Sequence, residues 1–196
     1  MHLYRAFPPR PALAGHVACL WTRHALPDGA PVRTRVLPDN CIDILWQGRM
    51  PRGFVAGMMS RVHRVELERP VLTLAVRFLP GAARAFVDVP LHLLQDDHPA
   101  MDDLWPCHEA ETLAAALWAR ERTPTERLAV LERALLARLR TRGHAPTRGD
   151  ALVRTAVRLI GAGGALRVDD QSHLAHAFRR FADDIPSAFH FSNTGP

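Results

Sequence analysis

Leu72-Thr73-Leu74-Ala75-Val76-Arg77-Phe78 alternates a large apolar residue with a smaller or polar one at each step. In an extended strand successive side chains point to opposite faces. Leu72, Leu74, Val76 and Phe78 therefore belong to one side, and Thr73, Ala75 and Arg77 to the other. Cys41-Ile42-Asp43-Ile44-Leu45-Trp46 obeys the same rule, with Ile42, Ile44 and Trp46 facing one way and Cys41, Asp43 and Leu45 the other. Further runs at 15–23, 32–37, 54–56 and 62–67 are short, rich in Val, Ile, Leu and aromatics, and separated by Pro, Gly, Asp and Asn. So many short strands within the first eighty residues predict a compact antiparallel sheet or barrel.

Beyond Pro80 the period changes. Pro80-Gly81-Ala82-Ala83-Arg84-Ala85-Phe86 reads as a strand-to-helix turn, and residues 109–122 form an Ala- and Leu-rich helix around Leu113, Leu117 and Trp118. The next helix has the clearest signals. Thr123-Pro124-Thr125-Glu126 is a capping box with proline at the first helical position, Leu128, Leu131, Leu135 and Leu139 form an apolar stripe, and Gly143 ends it. His144-Ala145-Pro146-Thr147-Arg148-Gly149 reads as a linker. The expected class is α+β: residues 1–145 form an antiparallel, barrel-like sheet domain that continues into helices and folds alone, and residues 146–196 form a short all-α unit.

With 196 residues the chain can bury one main core plus an appendage. Cys19, Cys41 and Cys107 are odd in number and lack CxxC spacing, so neither a disulfide framework nor a structural zinc site is expected. No run of about 18 apolar residues occurs, and Met1-His2-Leu3-Tyr4-Arg5 begins no signal peptide. A cytoplasmic protein with no membrane partner is expected. All 25 basic residues are arginine, set against 20 acids for a formal net charge of +5. The arginines concentrate in residues 120–148, where eight face Glu121, Glu126 and Glu132, a pattern read as the solvated side of an amphipathic helix. Residues 151–196 hold five Arg against four Asp.

That C-terminal region nevertheless carries a recognisable pattern. In Asp169-Asp170-Gln171-Ser172-His173-Leu174-Ala175-His176-Ala177-Phe178-Arg179-Arg180-Phe181, Leu174, Phe178 and Phe181 make one apolar stripe. Polar groups gather near the helix start. Ile185-Pro186-Ser187-Ala188-Phe189 follows as a proline-started helix. The stretch resembles the second recognition helix and closing helix of AraC/XylS-type transcription regulators, and residues 150–160 resemble the opening helix of that DNA-binding region. The first helix-turn-helix, the connecting helix and the first helix of the second unit have no counterpart. The resemblance implies DNA contact through Gln171, Ser172, His173 and His176 at base edges and Arg179 and Arg180 at phosphates. With half the reader absent and little local charge, weak or non-specific binding is expected.

A second resemblance covers the strands. Arg35-Val36-Leu37-Pro38-Asp39-Asn40-Cys41-Ile42-Asp43-Ile44-Leu45-Trp46, Phe54-Val55-Ala56-Gly57, Val76-Arg77-Phe78-Leu79-Pro80-Gly81-Ala82-Ala83 and Met101-Asp102-Asp103-Leu104-Trp105 look like the sensor-type domain that precedes the DNA-binding region in one branch of AraC-like regulators. It implies a small-molecule effector of unknown identity. Candidate ligand residues are Cys41, Asp43 and Arg77, with Trp21 and Trp46 or Trp105 as walls. The competing reading makes Asp43 and Arg77 a structural ion pair and Cys41 a small buried hydrophobe, and leaves Asp39-Asn40 as a turn signal.

An enzyme is not expected. The 11 histidines are scattered without HxH or HExxH, His16 and His24 flank Cys19 as exposed strand positions would, and no thiol-enzyme signature surrounds Cys41. Gly161-Ala162-Gly163-Gly164 follows a helix where a phosphate loop would follow a strand. No metal or cofactor is expected. The first reading is thus an AraC-type regulator with impaired sequence-specific DNA binding. The alternative is a stand-alone ligand-sensing or dimerisation module, a homodimer or a partner of full-length relatives through the helix at 123–142. A barrel-based enzyme ranks last.

Overall fold

The computed structural model describes residues 2–26, 31–37, 41–48, 50–119, 122–142 and 155. Among these residues seven strands come first: β1 (His2–Phe7), β2 (Val17–Ala25), β3 (Val32–Val36), β4 (Asp43–Gln47), β5 (Met50–Ala56), β6 (His63–Leu67) and β7 (Val71–Phe78). Short 3₁₀ turns follow, and then helices α1 (Cys107–Trp118) and α2 (Pro124–Arg142). The α+β class expected from the alternation is the one observed. β1 is an addition to the strands expected from the sequence, and Leu3 and Tyr4 within it are exposed.

Five strands make an antiparallel sheet in the order β1-β2-β7-β4-β5, and β3 pairs with β6 in a separate two-stranded ribbon. The expected barrel does not form. Closure would require the two edge strands to pair, whereas the outer edge of β5 is taken by a returning segment. The Val55 N–H donates to the Pro99 carbonyl (2.9 Å) and the Gly57 N–H to the Asp97 carbonyl (3.1 Å), and Phe54 bridges to Ala100. This local pairing satisfies an edge that would otherwise present free backbone groups.

Alternation places the core on one face of the sheet. Leu20, Ile44, Trp46, Val55, Leu74, Val76 and Phe78 are buried there together with Phe86, Leu94, Met101, Trp105 and the helical residues Leu113, Leu117, Leu128, Leu131 and Leu135. The apolar stripe of α2 is therefore consumed inside its own domain, which removes it as a free dimerisation surface. The capping box forms as its spacing predicts: the Thr123 N–H donates to Glu126 Oε2 (2.7 Å), and the Glu126 N–H donates to Thr123 Oγ1 (3.3 Å).

One arginine ties α2 to α1 and to the 86–88 segment. The Arg138 side chain is 6% exposed, and its guanidinium donates to the Phe86 carbonyl (2.7 Å), Glu109 (2.7 Å) and Asp88 (2.6 Å) while lying 4.5 Å from the Trp105 ring centre. Glu109 and Asp88 are half-exposed and can rehydrate if the arginine is lost, so truncation removes charged hydrogen bonds and ring contact without stranding a buried acid. Arg138→Ala should cost about 3 kcal/mol, read as a lower urea midpoint at unchanged slope. A loss under about 0.5 kcal/mol, the scale of an ordinary surface change, would show that the network is idle.

The Gly143 helix stop, the 38–40 turn, the 144–149 linker and, apart from residue 155, the 146–196 unit lie outside the described residues. So do the candidate DNA contacts Gln171, Ser172, His173, His176, Arg179 and Arg180.

Candidate functional site

The face of the sheet opposite the helices is organised in rows that cross the strands. Cross-strand partners share a face, so the register alone builds them. Tyr4, Arg23, Thr73, Gln47 and Met50 form one row, and Ala6, Trp21, Ala75, Leu45 and Phe54 form the next. Cys19, Arg77, Asp43 and Ala56 form the third. A strip of apolar side chains is thereby held between two polar rows. Trp21, Leu45 and Ala75 are its buried centre, with Cys19, Phe54 and Ala56 packed against it.

In the third row Arg77 and Asp43 sit directly opposite each other on β7 and β4. The guanidinium grips the carboxylate with two parallel bonds, Nε to Oδ1 at 3.0 Å and Nη2 to Oδ2 at 2.8 Å. This planar fork is the strongest pairing available to a carboxylate and an arginine. Asp43 is the more deeply placed partner, its side chain 11% exposed against 32% for Arg77. Cys19, the neighbour of Arg77 on β2, has its thiol pushed up from the ordinary value by burial, with Arg77 pulling weakly the other way. A half-buried thiol shifted in this direction is a poor nucleophile.

The polar row on the other side is built differently. Thr73 is fully buried, and its hydroxyl accepts from Gln47 Nε2 at 3.2 Å. Arg23 is 8% exposed, burial lowers its pKa, and its Nε–H is buried without an acceptor among the described residues. The indole N–H of Trp21, two residues away on the same face, is also buried without an acceptor. Tyr4, across from Arg23 on β1, places its ring 5.6 Å from that of Trp21.

Of the residues singled out from the sequence, Asp43, Arg77 and Trp21 meet on this face. Cys41 lies two residues ahead of β4 and is half-buried. Trp46 and Trp105 are not walls of this face. Alternation turns Trp46 to the helix side, and Trp105 donates its indole N–H to the Phe86 carbonyl (2.8 Å) within the core. His16, expected to be exposed, is 6% exposed and meets the Phe86 ring edge-on. Arg23, Thr73, Gln47 and Tyr4 were not anticipated. Arg23 had a signal in the sequence, because it follows Trp21 by two in a strand and so shares its face.

Residues 5–100 match the family model of a domain of unknown function, DUF6597. No curated protein and no solved structure matches the chain. The matched span runs from β1 to the bridge at Ala100 and contains every residue of the rows except Tyr4.

Proposed function

We propose that this chain is a small-ligand sensor of the AraC type whose DNA-reading part is impaired. The observation that carries the reading is the sheet face away from the helices, where an apolar strip of Trp21, Ala75, Leu45 and Phe54 lies between the Arg77–Asp43 pair and the Arg23 row. Ligand sites in proteins combine apolar walls with a few placed polar groups in this way. The sensor-type motifs at 35–46, 54–57 and 76–83 and the family match over 5–100 cover the same strands. Residues 146–196, whose sequence resembles part of a DNA reader, would then supply the impaired DNA-reading part.

Two measurements on the full chain test the reading. A panel of small metabolites screened by thermal melting should contain compounds that raise the midpoint saturably, since a ligand at a hundred times its Kd adds about 2.7 kcal/mol. Phe54→Ala, at the half-buried end of the strip, should weaken that response. A panel with no responder counts against sensing. Mobility shift at low salt should give only salt-sensitive association in the range of about 10⁻⁴ to 10⁻⁶ M. A reproducible motif selected from random duplexes at nanomolar protein would instead establish a working sequence reader.

A further inference from the structure

Resting on the reading of this sheet face as the ligand site, we propose that Trp21 and Arg23 make it a site for a small organic acid, binding one carboxylate and seating an apolar body on the neighbouring strip. A buried polar group normally has a hydrogen-bond partner, and a buried charge normally has a counter-charge. Here two N–H donors on one strand face, the Trp21 indole and the Arg23 Nε, are buried without an acceptor among the described residues. Two side-chain acceptors of the same face are engaged elsewhere. The Thr73 hydroxyl, in the row of Arg23, accepts from Gln47, and the Asp43 carboxylate two rows away holds Arg77.

The geometry also selects the ligand. Residues two apart in a strand are separated by about 6.6 Å, so two long side chains on one face can converge on the two oxygens of one carboxylate. The adjoining row offers Leu45, Ala75 and Phe54, none of which can hydrogen-bond through its side chain, and the Tyr4 ring lies beside Trp21. An anionic head with a hydrocarbon body matches both parts. A compact inorganic oxyanion would leave the apolar strip unused, and a neutral amide would leave Arg23 without a counter-charge.

The test uses the full chain, with hexanoate, its neutral isostere hexanamide, and inorganic phosphate as probes. The indole N–H resonance of Trp21, identified by its loss in Trp21→Phe, should shift saturably with hexanoate and at least roughly tenfold more weakly with hexanamide, the scale of one lost charged contact. Arg23→Met keeps the length of the side chain and deletes the charge. It should weaken hexanoate binding at least roughly tenfold while raising the melting midpoint by roughly 2–4 °C, because the buried Arg23 Nε–H, without an acceptor among the described residues, costs stability until ligand binds. A lower midpoint for Arg23→Met would mean that the arginine is structural and would overturn the inference. Equal response to hexanoate and hexanamide would also overturn it while leaving an apolar sensor face in place. Phosphate binding as well as hexanoate would rule out the organic-acid class. If metabolites in the panel bind and hexanoate does not, the carboxylate assignment fails and the sensor reading stands. If neither binds, both fall.

Discussion

Arg77→Ala should destabilise the domain by about 3 kcal/mol or more, within the range of 3–5 kcal/mol for breaking a buried ion pair. The reason is asymmetry of burial. The substitution removes the two-pronged partner of a carboxylate whose side chain is only 11% exposed, whereas Asp43→Ala leaves an arginine that is 32% exposed and can recover water. Asp43→Ala should accordingly cost less, about 1–2 kcal/mol, since exposed partners of ion pairs contribute little. Urea denaturation of both single variants and the double variant measures the difference and the coupling between the two sites. If both singles melt like the parent, the fork is not holding the sheet together, and its role would have to be sought in the ligand alone.

Gly57→Ala should be at least as damaging, about 3 kcal/mol or beyond the usual cost of overpacking. An added Cβ would lie 1.5 Å from the Leu94 carbonyl oxygen, 2.7 Å from its carbonyl carbon and 3.1 Å from the Asp97 carbonyl oxygen. These are backbone atoms, so no rotamer change relieves the clash. The segment that covers the β5 edge would have to lift, and with it would go the bonds from Gly57 to Asp97 and from Val55 to Pro99. Gly48→Ala is the matched control, because a Cβ there meets nothing within 4 Å and should change stability by no more than about 0.5 kcal/mol. Similar urea midpoints for the two variants would mean that the 94–100 segment is not held against the sheet.

The two glycines show where sequence reading stops. Each stands one residue past the end of a strand, and nothing local separates them. The difference arises because residues 94–100, some forty positions downstream, return to pair with β5 beside Gly57. The same return explains why the sheet stays open where a barrel was expected: the number of short strands was legible, but the use of an edge is decided by whichever distant segment satisfies it.

Local chemistry was readable wherever a period of two or a fixed spacing governs the outcome. The strand at 72–78, the strand expected at 41–46 and found at Asp43–Gln47, the opposition of Asp43 to Ile44, and the Thr123–Glu126 box all follow from side-chain geometry within a few residues. Alternation placed Asp43 with Leu45 on one side of their strand, and the same rule, not applied to β2, puts Trp21 and Arg23 on one side of theirs. Only the tertiary structure could decide that those sides are the same side. The register of β2 on β7 and of β7 on β4 brings Trp21, Arg77 and Asp43 to one face, and the packing of α1 and α2 against the other claims Trp46 and Trp105 for the core. Alternation assigns a residue to a face of its strand; hydrogen bonding between strands far apart in sequence, and burial by the helices, determine what that face meets.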